Sequence, residues 1–224
     1  MSGVYNYGMD NKAFYNLSYG VFVLGSRSKT QADSSTARIN ACITNTCFQT
    51  ASDPARLAIS VLKKNLTCSL IEESRVFSLS VLDKSCSFEL IKHFGYQSGR
   101  DVDKFADFAY KLDANGCPYI TESVNSVFSC RVTEMLDLGS HMLFVGEVID
   151  AVVTGNKEPL TYADYHANVR TQAAQKKDEN AGKKIVGWRC KICGFIHDEP
   201  ELPSDFTCPL CSHPAEDFEP IYEE

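Results

Sequence analysis

The sequence has no apolar run close to the roughly 18 residues that a membrane-spanning helix needs. Residues 1–8 also lack the basic stretch and apolar run that mark a signal peptide. These two absences predict a soluble, cytoplasmic protein with no membrane partner. Hydrophobic residues make up 44% of the 224 residues and charged residues 23%. Such a composition is ordinary for a globular chain that can bury a core.

Two common nucleotide-binding motifs are also absent. No G-x-G-x-x-G follows a predicted strand, and no G-x-x-x-x-G-K-[ST] occurs in the chain. The first absence argues against a Rossmann domain, and the second argues against a P-loop.

Cysteine, by contrast, is plentiful, and four of the ten cysteines form two C-x-x-C pairs. The pairs are Cys190 with Cys193 and Cys208 with Cys211, and fourteen residues separate them. Each pair is expected to form a tight turn that directs two sulfur atoms to one point, so two turns complete a tetrahedral metal site. Four thiolates select zinc or iron, and the spacing leaves both metals open. Zinc would make the site structural, whereas iron would make it an electron carrier.

The other six cysteines are scattered and contain no C-x-x-C pair. They are Cys42, Cys47, Cys68, Cys86, Cys117 and Cys130. Because no export signal supports disulfide formation, we predict that they are free and mostly buried thiols.

The net charge of −7 is concentrated at one end of the chain. Residues 185–224 hold two basic and nine acidic residues, which accounts for the whole imbalance. An acidic surface repels phosphate backbones, so we expect no nucleic-acid partner. It suits docking to a basic patch on a protein partner, although a simple solvated face is an equal alternative.

The fold class predicted from the alternation of apolar and polar residues is mainly β, a β-barrel with a few helices. Strands are predicted at residues 19–25, 39–48, 56–62, 75–82, 127–133 and 142–153. Helices are predicted at residues 68–74, 85–94 and 162–171. Thr67 is the predicted N-cap of the first helix, and Gly95 is expected to end the second.

The composition predicts two domains and a linker. Residues 1–168 form the predicted barrel domain, and polar residues 169–184 contain almost no large apolar side chain, as expected of a linker. Residues 185–224 form a metal module, termed the ribbon. A module of about 40 residues is too small to fold on apolar burial alone, so metal binding would stabilise its fold. Four aromatic residues are predicted to form its small core: Trp188, Phe195, Phe206 and Phe218.

The ribbon resembles rubredoxin, in the short form found at the end of rubrerythrins. The resemblance covers residues 185–222 and is carried by W-x-C-x-x-C-G-F, C-P-x-C and the closing E-D-F-E. It implies one iron held by Cys190, Cys193, Cys208 and Cys211, with zinc able to replace it in recombinant protein. Gly194 suits the turn after the first pair, because glycine readily adopts positive φ. Ser212 departs from the family, which usually has a second glycine there.

Residues 8–167 resemble the flavin reductase-like family with the FMN-binding split barrel. The matching segments begin with Phe14-Tyr15-x-Leu17-x-Tyr19-Gly20-Val21 and Asn40-x-Cys42-Ile43-x-Asn45-Thr46-x-Phe48-Gln49, and end with Pro159-Leu160-x-Tyr162. Between them lie Asp53-Pro54, Asn65-x-Thr67, Ser98-Gly99-Arg100-Asp101, Asn115-Gly116-Cys117-Pro118 and His141-x-x-Phe144-x-Gly146-Glu147. The segment before Ile39 is longer than usual, and Ala41 stands where the family often has glycine.

This resemblance implies non-covalent FMN in a homodimer, with the flavin near the interface. The residues implied at the isoalloxazine edge are Asn45, Thr46, Cys47 and Gln49. Those implied at the phosphate and ribityl chain are Lys63, Asn65 and Thr67. Ser98 and Arg100 are assigned to the phosphate or the nicotinamide, and His141 to the flavin region, where a purely structural role is the alternative.

Together the two modules resemble the high-molecular-weight rubredoxins, in which a flavin reductase domain is fused to a rubredoxin domain. The resemblance implies an NAD(P)H-dependent oxidoreductase that passes electrons through FMN to the iron and on to a flavodiiron protein. FMN accepts a hydride and releases electrons singly, which suits a one-electron iron centre. Two alternatives stay open: a free-flavin or ferric reductase with an incidental ribbon, and a zinc-clipped binding protein without redox activity. NADH and NADPH are equally compatible with the sequence.

Overall fold

The computed structural model describes residues 11–29, 37–170, 184–192, 195–209 and 212–223, and its architecture is mainly β, as predicted. The barrel-domain strands are β1 (Phe22–Arg27), β2 (Ile39–Thr44), β3 (Cys47–Ser52), β4 (Ala55–Leu62), β5 (Val76–Leu82), β6 (Lys111–Leu112), β7 (Pro118–Tyr119), β8 (Val124–Asp137) and β9 (His141–Val153). The helices are α1 (Leu66–Ser74), α2 (Phe88–Gly95) and α3 (Tyr162–Asp164), which continues as a π-helix over Tyr165–Arg170.

Seven of these strands form one antiparallel sheet in the order β2-β1-β5-β8-β9-β4-β3. Strand β5 lies near its centre and is buried on both faces at most positions, so the polar residues that alternate with its apolar ones are the small serines Ser78 and Ser80. The predicted strand 39–48 is interrupted at Asn45 and Thr46, where β2 ends and the edge strand β3 begins. This interruption places two polar residues at the end of the barrel.

Helix α1 begins two residues earlier than predicted, and its N-cap is Asn65 rather than Thr67. The Asn65 side chain accepts a hydrogen bond from the Thr67 backbone amide at 3.1 Å. Thr67 lies inside the first turn and is completely buried. The capping geometry requires an extended backbone before the helix, and Asn65 has it, with φ −70° and ψ 132°.

The barrel core consists of two apolar clusters. One packs α2 and the residues after α3 against β1 and β2, with Phe94, Ile120 and Leu160 at its centre. The other lies between α1 and the strands and includes Phe77 and Phe144. The predicted free thiols form part of these clusters: Cys42, Cys68, Cys86, Cys117 and Cys130 are buried, whereas Cys47 is half-buried. None of the eight cysteines in the described ranges forms a disulfide.

The ribbon has its own three-stranded sheet. Strand β10 (Ile185–Cys190) lies between β11 (Ile196–His197) and β12 (Phe218–Tyr222), and all pairings are antiparallel. Its buried centre contains Cys190, Cys208 and Phe218. The other two predicted ligands, Cys193 and Cys211, and most of the predicted linker, residues 171–183, lie outside the described residues.

None of the helices described is long and apolar enough to span a membrane.

Candidate functional site: the barrel cleft and the ribbon

A cleft of about 700 Å³ opens at the end of the barrel where β2 and β4 finish and α1 begins. Its barrel wall includes five of the residues predicted to bind the flavin or the nicotinamide. These are Asn45, Thr46, Asn65, Ser98 and His141. The fold therefore gathers residues that are up to 96 positions apart in the sequence around one concave surface of the size that small-molecule sites have.

The two lysines before α1 are directed differently. Lys64 is exposed and lines the cleft. Lys63 instead forms an ion pair with Asp137 at the end of β8, with 2.6 Å between the Lys63 Nζ and Asp137 Oδ2 atoms. The cleft thus presents one cation beside the start of α1, where a phosphate is favoured by the helix dipole.

Thr67 lies beneath the cleft rather than on its surface. Its hydroxyl accepts a hydrogen bond from the Asn40 side chain at 2.8 Å, and both residues are buried. Cys42 lies beside this pair and lines the cleft. Burial raises the pKa of the Cys42 thiol, although Lys104 partly opposes the rise. The floor of the cleft is therefore neutral and tightly hydrogen-bonded.

Three more of the residues predicted to bind the cofactor do not line the cleft. All three are among the residues that the structure describes. Cys47 is half-buried on β3, and burial raises the pKa of its thiol to about 12. Gln49 is exposed and donates its side-chain amide to the Ala51 carbonyl at 3.1 Å. Arg100 is exposed and donates to the Ser69 hydroxyl at 3.2 Å. Their predicted contacts with the cofactor remain predictions.

His141 begins β9 and is half-buried at the cleft. Its Nδ1 atom lies 2.9 Å from the Ser140 hydroxyl. Partial burial lowers the pKa of the imidazole, which favours the neutral form of the ring. A neutral imidazole held through Nδ1 can offer its other nitrogen to a polar group in the cleft.

Two tyrosines that the sequence analysis did not select form another wall. Tyr162 and Tyr165 lie about one helical turn apart and both line the cleft. Their ring centroids are 6.1 Å apart, and the Tyr165 hydroxyl lies 3.0 Å from the Tyr96 hydroxyl. Their spacing of three residues on a predicted helix was a signal for a shared face.

A buried lysine supports the loop that borders the cleft. Lys104 is only 3% exposed, and its ammonium donates to the Ala41 carbonyl at 3.0 Å and the Phe94 carbonyl at 2.7 Å. Burial lowers the pKa of Lys104. These bonds join β2 to the end of α2 and fix the position of the segment that carries Ser98.

In the ribbon, the two described ligand candidates are fully enclosed. Cys190 and Cys208 are 0% and 1% exposed. Phe195, Phe206 and Phe218 form the predicted aromatic core around them, with Phe206 and Phe218 meeting edge to face at 5.3 Å. Two buried thiols in a closed aromatic shell suit a metal centre that exchanges electrons without binding a substrate.

Backbone hydrogen bonds shape the turns that carry these cysteines. The Cys190 amide donates to the Phe195 carbonyl at 2.7 Å, and the Cys208 amide donates to the His213 carbonyl at 2.8 Å. The Ser212 amide donates to the Cys208 carbonyl at 2.8 Å. Ser212 has φ 58°, so the residue that replaces the usual glycine adopts the left-handed conformation that favours glycine.

Both implied groups fit these surroundings. The cleft combines a cation and a helix start with polar side chains on β2 and β9, which matches a phosphate joined to a flat polar ring. Cys190 and Cys208 match two of four thiolate ligands. Sequence reasoning assigned the phosphate to Lys63 and gave no site role to Lys64, Tyr162, Tyr165 or Lys104.

Comparisons with known proteins agree with this arrangement. A family model described as "Flavin reductase like domain" matches residues 14–169, and one described as "Rubrerythrin, rubredoxin-like domain" matches residues 188–219. The chain is 34% identical to a high molecular weight rubredoxin of Moorella thermoacetica, over 95% of this chain and 100% of that protein. It is 38% identical to a ferric-chelate reductase (NAD(P)H) of Archaeoglobus fulgidus, over 70% of this chain and 89% of that protein.

A solved structure supports the fold of the first domain. An NADH:FAD oxidoreductase of Streptomyces globisporus superimposes with a TM-score of 0.58 and 21% identity, covering 66% of this chain and 84% of that one. The family model covers more than half of the chain, and the relative from Moorella thermoacetica matches along its whole length. The chain therefore belongs to the flavin reductase-like family, in the form that carries a rubredoxin-like domain after the barrel, as in high molecular weight rubredoxin.

Proposed function

We propose that the protein is an NAD(P)H-dependent oxidoreductase that passes electrons through FMN in the barrel cleft to an iron centre in the ribbon. The observation that carries the proposal is the joint lining of one cleft by predicted flavin residues and by ribbon residues on either side of Cys190. The high molecular weight rubredoxin of Moorella thermoacetica, which aligns with 95% of this chain, supports it.

Bound FMN would accept a hydride and release its two electrons one at a time, which suits an iron centre that accepts one electron. The residues of this chain have binding and orienting roles. All five proposed ligands line the cleft: Lys64 and Asn65 would bind the phosphate, and Asn45, Thr46 and His141 would bind the polar ring edge. Lys63 stays a candidate for the phosphate, because an exposed ion pair such as the one with Asp137 costs little to break.

In the ribbon, Cys190, Cys193, Cys208 and Cys211 would hold one iron. Four thiolates leave no position for a substrate on the metal, so the centre would carry electrons and perform no bond chemistry. The aromatic core around Cys190 and Cys208 excludes water, which helps to set the reduction potential.

A homodimer is part of the proposal. Large apolar side chains are exposed on the edge strand β3 and on the β8–β9 hairpin: Phe48 is 56% exposed, Leu136 56% and Leu138 51%. Exposed apolar groups of this kind mark protein interfaces. Sedimentation of the purified protein tests this, and a Phe48→Glu substitution should shift the equilibrium toward monomer.

The proposed acceptor is a flavodiiron-type protein. The acidic character of the ribbon suits docking to a basic patch. A putative diflavin flavoprotein of Synechocystis is 31% identical over 111 residues, which are 50% of this chain and 18% of that protein. The barrel module is thus similar to a segment of a larger flavoprotein. Reduction of a purified acceptor by the full chain and NAD(P)H, measured under argon, tests this step.

A ferric or free-flavin reductase activity of the barrel alone is the second candidate, favoured by the 38% identity to a ferric-chelate reductase. The two functions differ in their dependence on the ribbon. Substituting Cys190→Ser should abolish transfer to a protein acceptor if the first proposal holds. Unchanged transfer would favour the second.

A further inference from the structure

One face of the ribbon forms part of the wall of the barrel cleft. The ribbon residues on this face are Arg189, Lys191, Ile192, Ile196 and His213. Arg189 and Lys191 directly flank Cys190 in the sequence, Ile192 precedes Cys193, and His213 lies just beyond the second cysteine pair. The edge of the ribbon that carries the thiolates is therefore the edge that faces the predicted flavin residues.

The charge of this face differs from that of the rest of the ribbon. Arg189 and Lys191 are the two basic residues of the segment 185–224, and both line the cleft. The barrel contributes Asp101 to the same cleft. Arg189 and Glu219 of the ribbon also border a neighbouring cavity of about 510 Å³, to which the barrel contributes Glu89, Lys92 and Glu122. The two basic residues of the ribbon thus face the barrel, whose side of the two cavities carries three acidic residues (Glu89, Asp101 and Glu122) and two lysines (Lys64 and Lys92).

The contact occupies space that a hydride donor needs. Hydride transfer requires the nicotinamide to lie about 3–3.5 Å from the acceptor atom, so the donor must enter the cleft beside the flavin. The ribbon face lies against the same cleft, next to Ser98 and Asp101. A ribbon seated there and a nicotinamide in the cleft would compete for one space.

We propose that the ribbon docks on the cleft of its own subunit and that nicotinamide binding displaces it. The docked state would serve electron transfer to the iron, and the undocked state would admit the donor. This inference rests on the proposed function. One hydride supplies two electrons and a proton: the single iron takes the electrons one at a time, passes the first to the protein acceptor before it takes the second, and the proton passes to solvent.

A pair of substitutions on the ribbon tests the docking. Ile196 is 44% exposed and lines the cleft, whereas Val186 is 38% exposed and lies outside the lining. Ile196→Glu should release the ribbon without unfolding it, because the side chain is already exposed. Val186→Glu is the matched control, with the same added charge on the same small sheet.

Hydrogen–deuterium exchange in the full-length, iron- and FMN-loaded protein provides the main readout. We expect Ile196→Glu to increase exchange in the segment 95–102, and Val186→Glu to leave it unchanged. Oxidised NAD⁺ or NADP⁺, whichever corresponds to the active donor, should increase exchange in the ribbon segment 188–192 of the unsubstituted protein, because the nucleotide itself would cover Ser98 in the cleft. Equal exchange in the two variants and no effect of the nucleotide would overturn the proposal.

Nucleotide affinity gives a second readout. If the docked state is favoured about tenfold, releasing the ribbon should strengthen binding of the oxidised nucleotide by up to about tenfold in Ile196→Glu. Equal affinities of Ile196→Glu and Val186→Glu would contradict competition. A failure of the proposed function has a different signature: NAD(P)H would not reduce the iron in any variant, whereas the exchange difference would persist.

Mixed dimers distinguish the subunit on which the ribbon docks. Each mixed dimer combines an isotope-labelled unsubstituted chain with an unlabelled Ile196→Glu chain. The label allows protection from hydrogen–deuterium exchange to be measured for each barrel separately. Docking within one subunit predicts that the labelled chain keeps its protection at 95–102 and the unlabelled chain loses it. The reverse pattern would show docking on the partner and would overturn the assignment to the same subunit.

Discussion

Lys63 is paired with Asp137 across the hairpin end of the barrel, with 2.6 Å between the charged atoms, while the next residue, Lys64, lines the cleft. These two consecutive lysines therefore make contacts on opposite sides of the segment before α1. We expect Lys64→Ala to weaken FMN binding about tenfold, because it removes a charge-assisted contact to the phosphate. Lys63→Ala is the matched control, and flavin fluorescence titration measures both. A larger loss in Lys63→Ala would restore the role that the sequence predicted for Lys63.

Ser212 offers a second test, since its φ of 58° costs free energy that glycine would not incur. Ser212→Gly should stabilise the metal-loaded ribbon by up to about 1 kcal/mol, after the greater unfolded-state entropy of glycine is subtracted. The fluorescence of Trp188, the single tryptophan of the chain, reports unfolding of the ribbon. Ser212→Ala keeps the strain and should give no gain. An equal gain in both variants would locate the effect in the lost hydroxyl.

Lys104 predicts a dependence of stability on pH. Its folded-state pKa lies below the ordinary 10.5, because burial disfavours the ammonium. Above the folded-state pKa the unfolded chain binds more protons than the folded chain, so this residue favours folding increasingly as pH rises toward 10.5.

The comparison with Lys104→Met isolates this contribution. At pH 7 the variant should be less stable by about 1–3 kcal/mol, because the Ala41 and Phe94 carbonyls lose their donor. Denaturant unfolding between pH 7 and 10 should show the difference growing in favour of the unsubstituted protein. A difference that is constant with pH would contradict the lowered pKa.

Cys47 should be chemically inert despite its position beside the cleft. Burial raises the pKa of its thiol to about 12, so little reactive thiolate is present near neutral pH. We expect alkylation of the native protein at pH 8 to leave Cys47 unmodified. Mass spectrometry of digested protein measures the modification, and denatured protein is the positive control. Rapid modification of Cys47 in the native state would instead indicate a lowered pKa.

Much of the fold was predictable because the patterns are local. The alternating residues of β5 specify a strand, and the cysteine spacing predicts a metal module whose aromatic core the structure contains. The direction in which single side chains point was harder to predict from the sequence. Asn65 rather than Thr67 caps α1, because capping depends on backbone angles at one residue. Lys63 and Lys64 are indistinguishable in sequence, and only the neighbouring hairpin with Asp137 separates their roles.

The sequence also could not predict that residues of both modules line the same cleft. Residues 45 and 191 are far apart in the chain, and nothing local indicates that they face the same cavity. The sequence did place the acidic surplus on the ribbon. It did not indicate that Arg189 and Lys191, the two basic residues of the ribbon, both line the barrel cleft.

The most direct test is anaerobic stopped-flow of the FMN- and iron-loaded full chain mixed with NADH or NADPH, with flavin and iron absorbance followed separately. The proposed function predicts that the flavin absorbance falls first and that the iron absorbance falls after it, with full reduction of both. Cys190→Ser should lose the iron signal and keep the flavin phase, whereas Cys86→Ser, which removes a buried thiol of the barrel core, should keep both. Flavin that bleaches while the iron stays ferric would contradict the proposed electron path.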